Sequence, residues 1–163
     1  MMSDVLANDV RGQYDKSFAT IRGIAERFPD EKWLEPHGDV YYIPSRIAYH
    51  LAVFVDALVA GGMKDPDFNA KLPFGAWQDG TAETLPKRAD FITYFDAVVV
   101  RAQKELAALD DAGLTKALEP ERARFGASPI GMHLYFMREM AAHSGELNKM
   151  LIENGLDDVW VSR

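Results

Sequence analysis

Cysteine is absent from the 163-residue chain. Disulfides, thiolate metal ligands and catalysis by a protein thiol are therefore excluded, and the sequence carries no mark of a redox compartment. Basic runs are absent as well. Lys and Arg number 18 against 25 Asp and Glu, a formal net charge of -7, which argues against a nucleic-acid partner. No apolar run makes a convincing membrane span. The longest, around Ile47 to Gly62, is interrupted by His50 and Asp56 and has Arg46 at its edge. The opening MMSDVLANDV is polar and acidic and lacks the basic start and apolar run of a secretory signal, so cytoplasm is the default expectation. Internal repeats and low-complexity segments are missing, and the only alternating stretch is the weak Asp39-Val40-Tyr41-Tyr42.

What is present is ordinary globular composition, with 48% apolar and 26% charged residues, in a length suited to one domain over residues 1–163. Four segments carry helical periodicity. The first runs from Ser3 to Arg27, with Val10, Tyr14, Phe18, Ile21 and Ala25 at three- and four-residue steps and Pro29 as its stop. The second runs from Pro44 to Ala60, opened by a proline and closed by Gly61-Gly62. It is apolar nearly all round and should be the most buried. The third spans Pro86 to Leu109. The fourth spans Pro129 to Asn154, with Ser128 as the expected N-cap and Asn154-Gly155 as the C-cap. The connections over 63–85 and 110–127 are longer than the usual loops between packed helices, and serve either to cover exposed core or to form the mouth of a site. The expected class is all-α, a four-helix bundle with long crossover connections.

The chemistry concentrates on the last helix. Glu139 and His143 are four apart and lie about 40° from one another around a helix axis. Met132, Phe136, Met140, Leu147 and Met150 surround them at helical spacing, which places both within the expected core-facing stripe. His50 stands among Tyr49, Leu51, Val53 and Phe54 on the second helix. Two imidazoles and a carboxylate from facing helices make a divalent-metal site with open positions. A Glu–His ion pair without metal would satisfy the carboxylate too. His133 is ten residues before His143, about 15 Å along the axis, and cannot share a metal with it. His37 lies in a loop beside Gly38 and Asp39 and reads as solvated. Glu146, seven residues after Glu139, falls near the same face as an orienting group, a base or a solvated carboxylate. Tyr49 and Trp77 are candidate walls, with core packing the plainer role for each.

The phrases Tyr49-His50-Leu51 and Glu139-x3-His143-Ser144-Gly145-Glu146-Leu147-Asn148, with the Trp160-Val161-Ser162-Arg163 ending, resemble the DinB-like family over nearly the whole chain. The resemblance implies a four-helix bundle, commonly a homodimer, holding a divalent metal such as zinc, nickel, iron or manganese through three histidines. His50 and His143 stand at ligand positions. Glu139 stands where the family usually has histidine, and Glu146 where it usually has glutamine, so the site is more acidic than the family pattern and suits a harder cation. Thiol-dependent transferases within the wider family imply a metal-activated small-molecule thiol attacking an electrophilic substrate. Since the chain lacks cysteine, any such thiol comes from outside. Metal-dependent hydrolysis would use the same ligands. The alternative from another class is a non-catalytic helical dimer of stress-associated or unknown role.

Overall fold

The computed structural model describes residues 4–39 and 41–161, the side chains of Glu121 and Arg122 excepted. Helix α1 covers Val5–Arg27 and buries Val10, Tyr14, Phe18, Ile21 and Ala25, the stripe that the spacing requires. Extended backbone at Phe28, with Pro29 behind it, ends the helix. The single turn α2, Asp30–Trp33, has too short a pattern to be read in sequence. It drives Trp33 into the core against Phe28 and Phe91, where the indole Nε1 donates to the Pro86 carbonyl at 3.0 Å.

Helix α3, Pro44–Phe54, starts on its proline and buries eight of its 11 residues. It then widens into a π turn at Val55–Val59, closed by the Ala60 N–H on the Val55 carbonyl at 2.8 Å. The expected uninterrupted helix to Ala60 is corrected here. The turn buries Asp56, whose carboxylate accepts from the Tyr94 hydroxyl and the Arg101 guanidinium, each at 2.8 Å. Gly61, at φ 80°, takes the left-handed conformation that ends the segment.

Helix α4 is Arg88–Ala107, the short α5 is Asp111–Thr115, and α6 is Pro129–Glu153. The long helices α1 and α3 each pack on both α4 and α6. Phe91 stacks on Phe95 at 5.5 Å within the shared core, together with Phe18, Ile21, Leu51, Phe136 and Leu147. A satellite cluster of Ile43, Tyr49, Val53 and Leu85 sits under the 63–85 connection. That connection is built from short 3-10 turns at Gly62–Lys64, Phe68–Lys71 and Trp77–Asp79.

The described residues contain no strand, as the all-α expectation requires. His37–Tyr42 is a tight turn with one isolated bridge between His37 and Asp39, and Val40 lies outside the described residues, as do Ser3, Ser162 and Arg163. Ser128 occupies the N-cap of α6 without a side-chain capping bond. The C-cap holds, since the Leu156 N–H returns to the Leu151 carbonyl at 3.0 Å. The terminal segment is stitched down by Asn148, whose amide both donates to and accepts from the Val159 backbone, and by Thr20 Oγ1 accepting from Val161 N–H. No described helix is long and apolar enough to cross a membrane.

His133 serves packing. Its Nδ1 shares a 2.9 Å hydrogen bond with the Tyr14 hydroxyl, and burial pulls it from 6.5 down to about 4. The unfolded chain therefore binds the proton first. The stabilisation is present above pH 6.5 and is lost as pH falls toward 4. Between pH 7 and 5 the His133 share of the loss should be about 2 kcal/mol. Urea unfolding of the wild type and His133→Gln at both pH values checks this, with the variant losing less stability on acidification by that amount.

Candidate metal centre

The site begins with the edge that α3 presents to α6. His50 lies one helical turn beyond Arg46 and one before Phe54, at the half-exposed margin of an otherwise buried helix. Its ring meets the His143 ring edge-on, with centroids 5.0 Å apart and planes 89° apart. Trp77 covers another side of His50, its ring centroid 4.1 Å away. His50 Nδ1 is buried and has no hydrogen-bond partner among the described residues, which leaves a polar atom of the kind that is normally satisfied. Burial, with His143 beside it, draws His50 down to about 4, while Glu139 and Glu146 act in the opposite sense. At neutral pH the imidazole is therefore neutral, the form that ligates metals.

His143 is held by its own helix. Its Nδ1 lies 2.7 Å from Glu146 Oε2, three residues on. A carboxylate accepts here, so His143 donates through Nδ1 and turns Nε2 away from Glu146. This is the carboxylate–histidine arrangement that orients metal-ligating imidazoles elsewhere.

Glu139 is placed differently. Its Oε1 accepts from Arg138 at 3.1 Å. Glu139 and His143 are each 25% exposed in their side chains, so they flank the core stripe of Phe136, Met140, Leu147 and Leu151 and do not belong to it. The expectation that both fall inside that stripe is corrected. The 40° spread of an i,i+4 pair is wide enough to carry them to its edge. Among the described residues no three His, Asp or Glu side chains are gathered closely enough to hold a metal as they stand. The donor chemistry nevertheless fits one: a neutral imidazole with an orphaned nitrogen, a second with its tautomer fixed, and a carboxylate tied only to an arginine 69% exposed, a weak restraint.

The remaining candidates separate cleanly. His133 is committed to Tyr14 on the core side of α6. His37 bonds Glu153 through Nε2, so it is anchored and not merely solvated. Tyr49 is fully buried, donates to the Gly75 carbonyl at 3.0 Å, and packs on Phe74 and Tyr94. Trp77 does stand against the site. Sequence reasoning missed Arg46, whose guanidinium donates to the Gln78 carbonyl at 2.8 Å and to the Gly80 carbonyl. Together Tyr49 and Arg46 strap the 75–80 segment over His50. The available signal was spacing, because Arg46 precedes His50 by four in a helix otherwise apolar. Also missed was a groove of about 560 Å³ bounded by the 37–42 turn and α6, which reaches the pair through Glu146 and is lined by neither His50 nor His143.

The chain matches no protein-family model and no curated protein.

Arg46→Met should free the strap. Losing two charge-assisted bonds to backbone carbonyls should destabilise the segment by about 2–3 kcal/mol. Amide hydrogen exchange should quicken over residues 75–80 while amides of α1 and α4 keep their protection.

Proposed function

We propose that this protein is a DinB-like four-helix bundle that binds a divalent metal through His50, His143 and Glu139, and that it is a metal-dependent transferase acting with a low-molecular-weight thiol. The observation that carries the reading is the buried Nδ1 of His50, without a partner among the described residues, beside a His143 whose own Nδ1 is taken by Glu146. A neutral His50 set edge to face against His143, with carboxylates nearby, is a poor way to fill a core margin and a good way to receive a cation. Packing of α1 and α3 each on α4 and α6 supports the bundle. A twofold homodimer belongs to the reading through the family resemblance.

When bound, a divalent metal lowers the pKa of a coordinated thiol or water and so supplies a nucleophile at neutral pH. The chain's residues do the rest. Glu146 holds the His143 tautomer through Oε2 and offers Oε1 to take the proton released by the thiol. Trp77 and the strapped 75–80 segment keep water from the His50 side. Hydrolysis, with water in place of the thiol, would use the same groups.

A second reading is favoured by one observation, the Glu139–Arg138 pair. Glu139 is then satisfied by protein alone, and the protein is a metal-free structural bundle.

Elemental analysis of protein purified without chelators separates the two. Near-stoichiometric zinc, nickel, iron or manganese should be present and should fall to background in His50→Ala and Glu139→Ala. Glu146→Ala should weaken affinity by about 10- to 100-fold, as loss of an orienting carboxylate does. Cobalt or nickel titration should quench the fluorescence of Trp77, and Trp77→Phe should remove that signal. Absence of metal after reconstitution, with all variants folded, establishes the structural reading instead.

A further inference from the structure

The functional face of α6 does not stop at His143. Glu146, Lys149, Met150 and Glu153 follow at three- and four-residue steps and share its side of the helix, where they form one wall of the 560 Å³ groove. The opposite wall is the 37–42 turn. That turn is held by its own backbone: His37 N–H donates to the Tyr42 carbonyl at 2.7 Å and Tyr42 N–H to the Asp39 carbonyl at 2.9 Å. Asp39 Oδ1 accepts from Tyr41 N–H at 2.8 Å, and Gly38 reverses the chain at φ 79°. The His37–Glu153 bond ties turn to helix. The groove is therefore built before any ligand arrives, and its volume is that of a small-molecule site.

Its lining selects a class of ligand. Its lining includes the exposed Tyr42 and the buried, apolar Met150, 43% and 4% exposed. Three carboxylates, Asp39, Glu146 and Glu153, face one ammonium, Lys149. Glu153 is engaged by His37 and, at 3.7 Å, by Lys149. Glu146 uses Oε2 on His143 and Asp39 uses Oδ1 on its own turn. Asp39 Oδ2 and Glu146 Oε1 have no hydrogen-bond partner among the described residues. An anionic ligand would meet this excess of carboxylates. An ammonium would find two unused acceptors and the face of Tyr42, where cation–π attraction adds to the contact. The thioether of Met150 adapts readily to an apolar body.

We propose that the groove binds a small organic amine, its ammonium taken by Asp39 and Glu146 and its apolar body laid on Tyr42 and Met150. The site does not require the metal, although it shares Glu146 with the proposed metal chemistry.

Phenethylamine titrated into the full chain by calorimetry or ligand-observed NMR tests it, with hydrocinnamate as the probe of similar shape and opposite charge. The amine should bind saturably and about tenfold or more tighter than the carboxylate. Asp39→Asn and Tyr42→Ala, both on an exposed turn and checked for unchanged unfolding, should each weaken it about three- to tenfold. His50→Ala should leave amine affinity unchanged whether or not it costs the protein a metal, so the groove and the metal reading fail separately. Lack of saturable amine binding, equal or tighter binding of hydrocinnamate, or indifference to both turn variants overturns the proposal. Loss of amine binding in His50→Ala overturns it too, by moving the amine to the histidine pair.

Discussion

The seating of α3 against α6 is the constraint from which the site follows. A helix turns 100° per residue, so a small rotation of α3 would swing His50 away from His143. Rotation is prevented from several directions. Ile47, Leu51 and Val55 are buried in the shared core, and Tyr49 and Val53 in the satellite cluster under the 63–85 connection. The Ser45 hydroxyl and the Trp33 indole both donate to the Pro86 carbonyl, which ties the start of α3 to α2 and to the approach of α4. With so much of α3 buried, the His50 edge is the part left to face His143 and Trp77.

The same constraint explains where polar cost accumulates. Buried polar groups are nearly always paired, and a partnerless one costs about 1–3 kcal/mol. Among the described residues two buried side-chain nitrogens have no partner, Arg46 Nε and His50 Nδ1, and they lie one turn apart on α3. Arg46 is compensated by its two bonds to the strap. His50 is not compensated by protein, and it is the residue packed between Trp77 and His143. The Asp56–Tyr94–Arg101 network on the π turn has the opposite character. Its Asp56 carboxylate is buried and paired on both oxygens, by Tyr94 and by a half-exposed Arg101, at the π turn where α3 ends.

Most of the helical layout was legible because it rests on periodicity. The stripes of α1, α4 and α6 and the proline at the head of α3 locate the long helices to within a few residues. What escaped was set by geometry that periodicity does not carry. The π turn depends on i,i+5 bonding and a buried Asp56, neither of which alters the apolar spacing. The single turn α2 is too short to show a period. Ser128 has the right identity for a cap, but cap bonding depends on its rotamer. Glu139 and His143 were recognisable as a pair, while their place on the flank of the core stripe depends on how α6 is rotated against its neighbours.

The sequence alone determined the all-helical class, the lack of any protein thiol, and the two histidines and two glutamates worth watching. Those follow from composition and from the fixed angle between residues on one helix. The tertiary structure alone decided that His50 meets His143, that Glu146 holds His143 while Glu139 turns to Arg138, and that His37 closes on Glu153. It also decided that the 37–42 turn and α6 enclose a groove. These are relations between segments up to 116 residues apart, made by packing, and no local pattern encodes them.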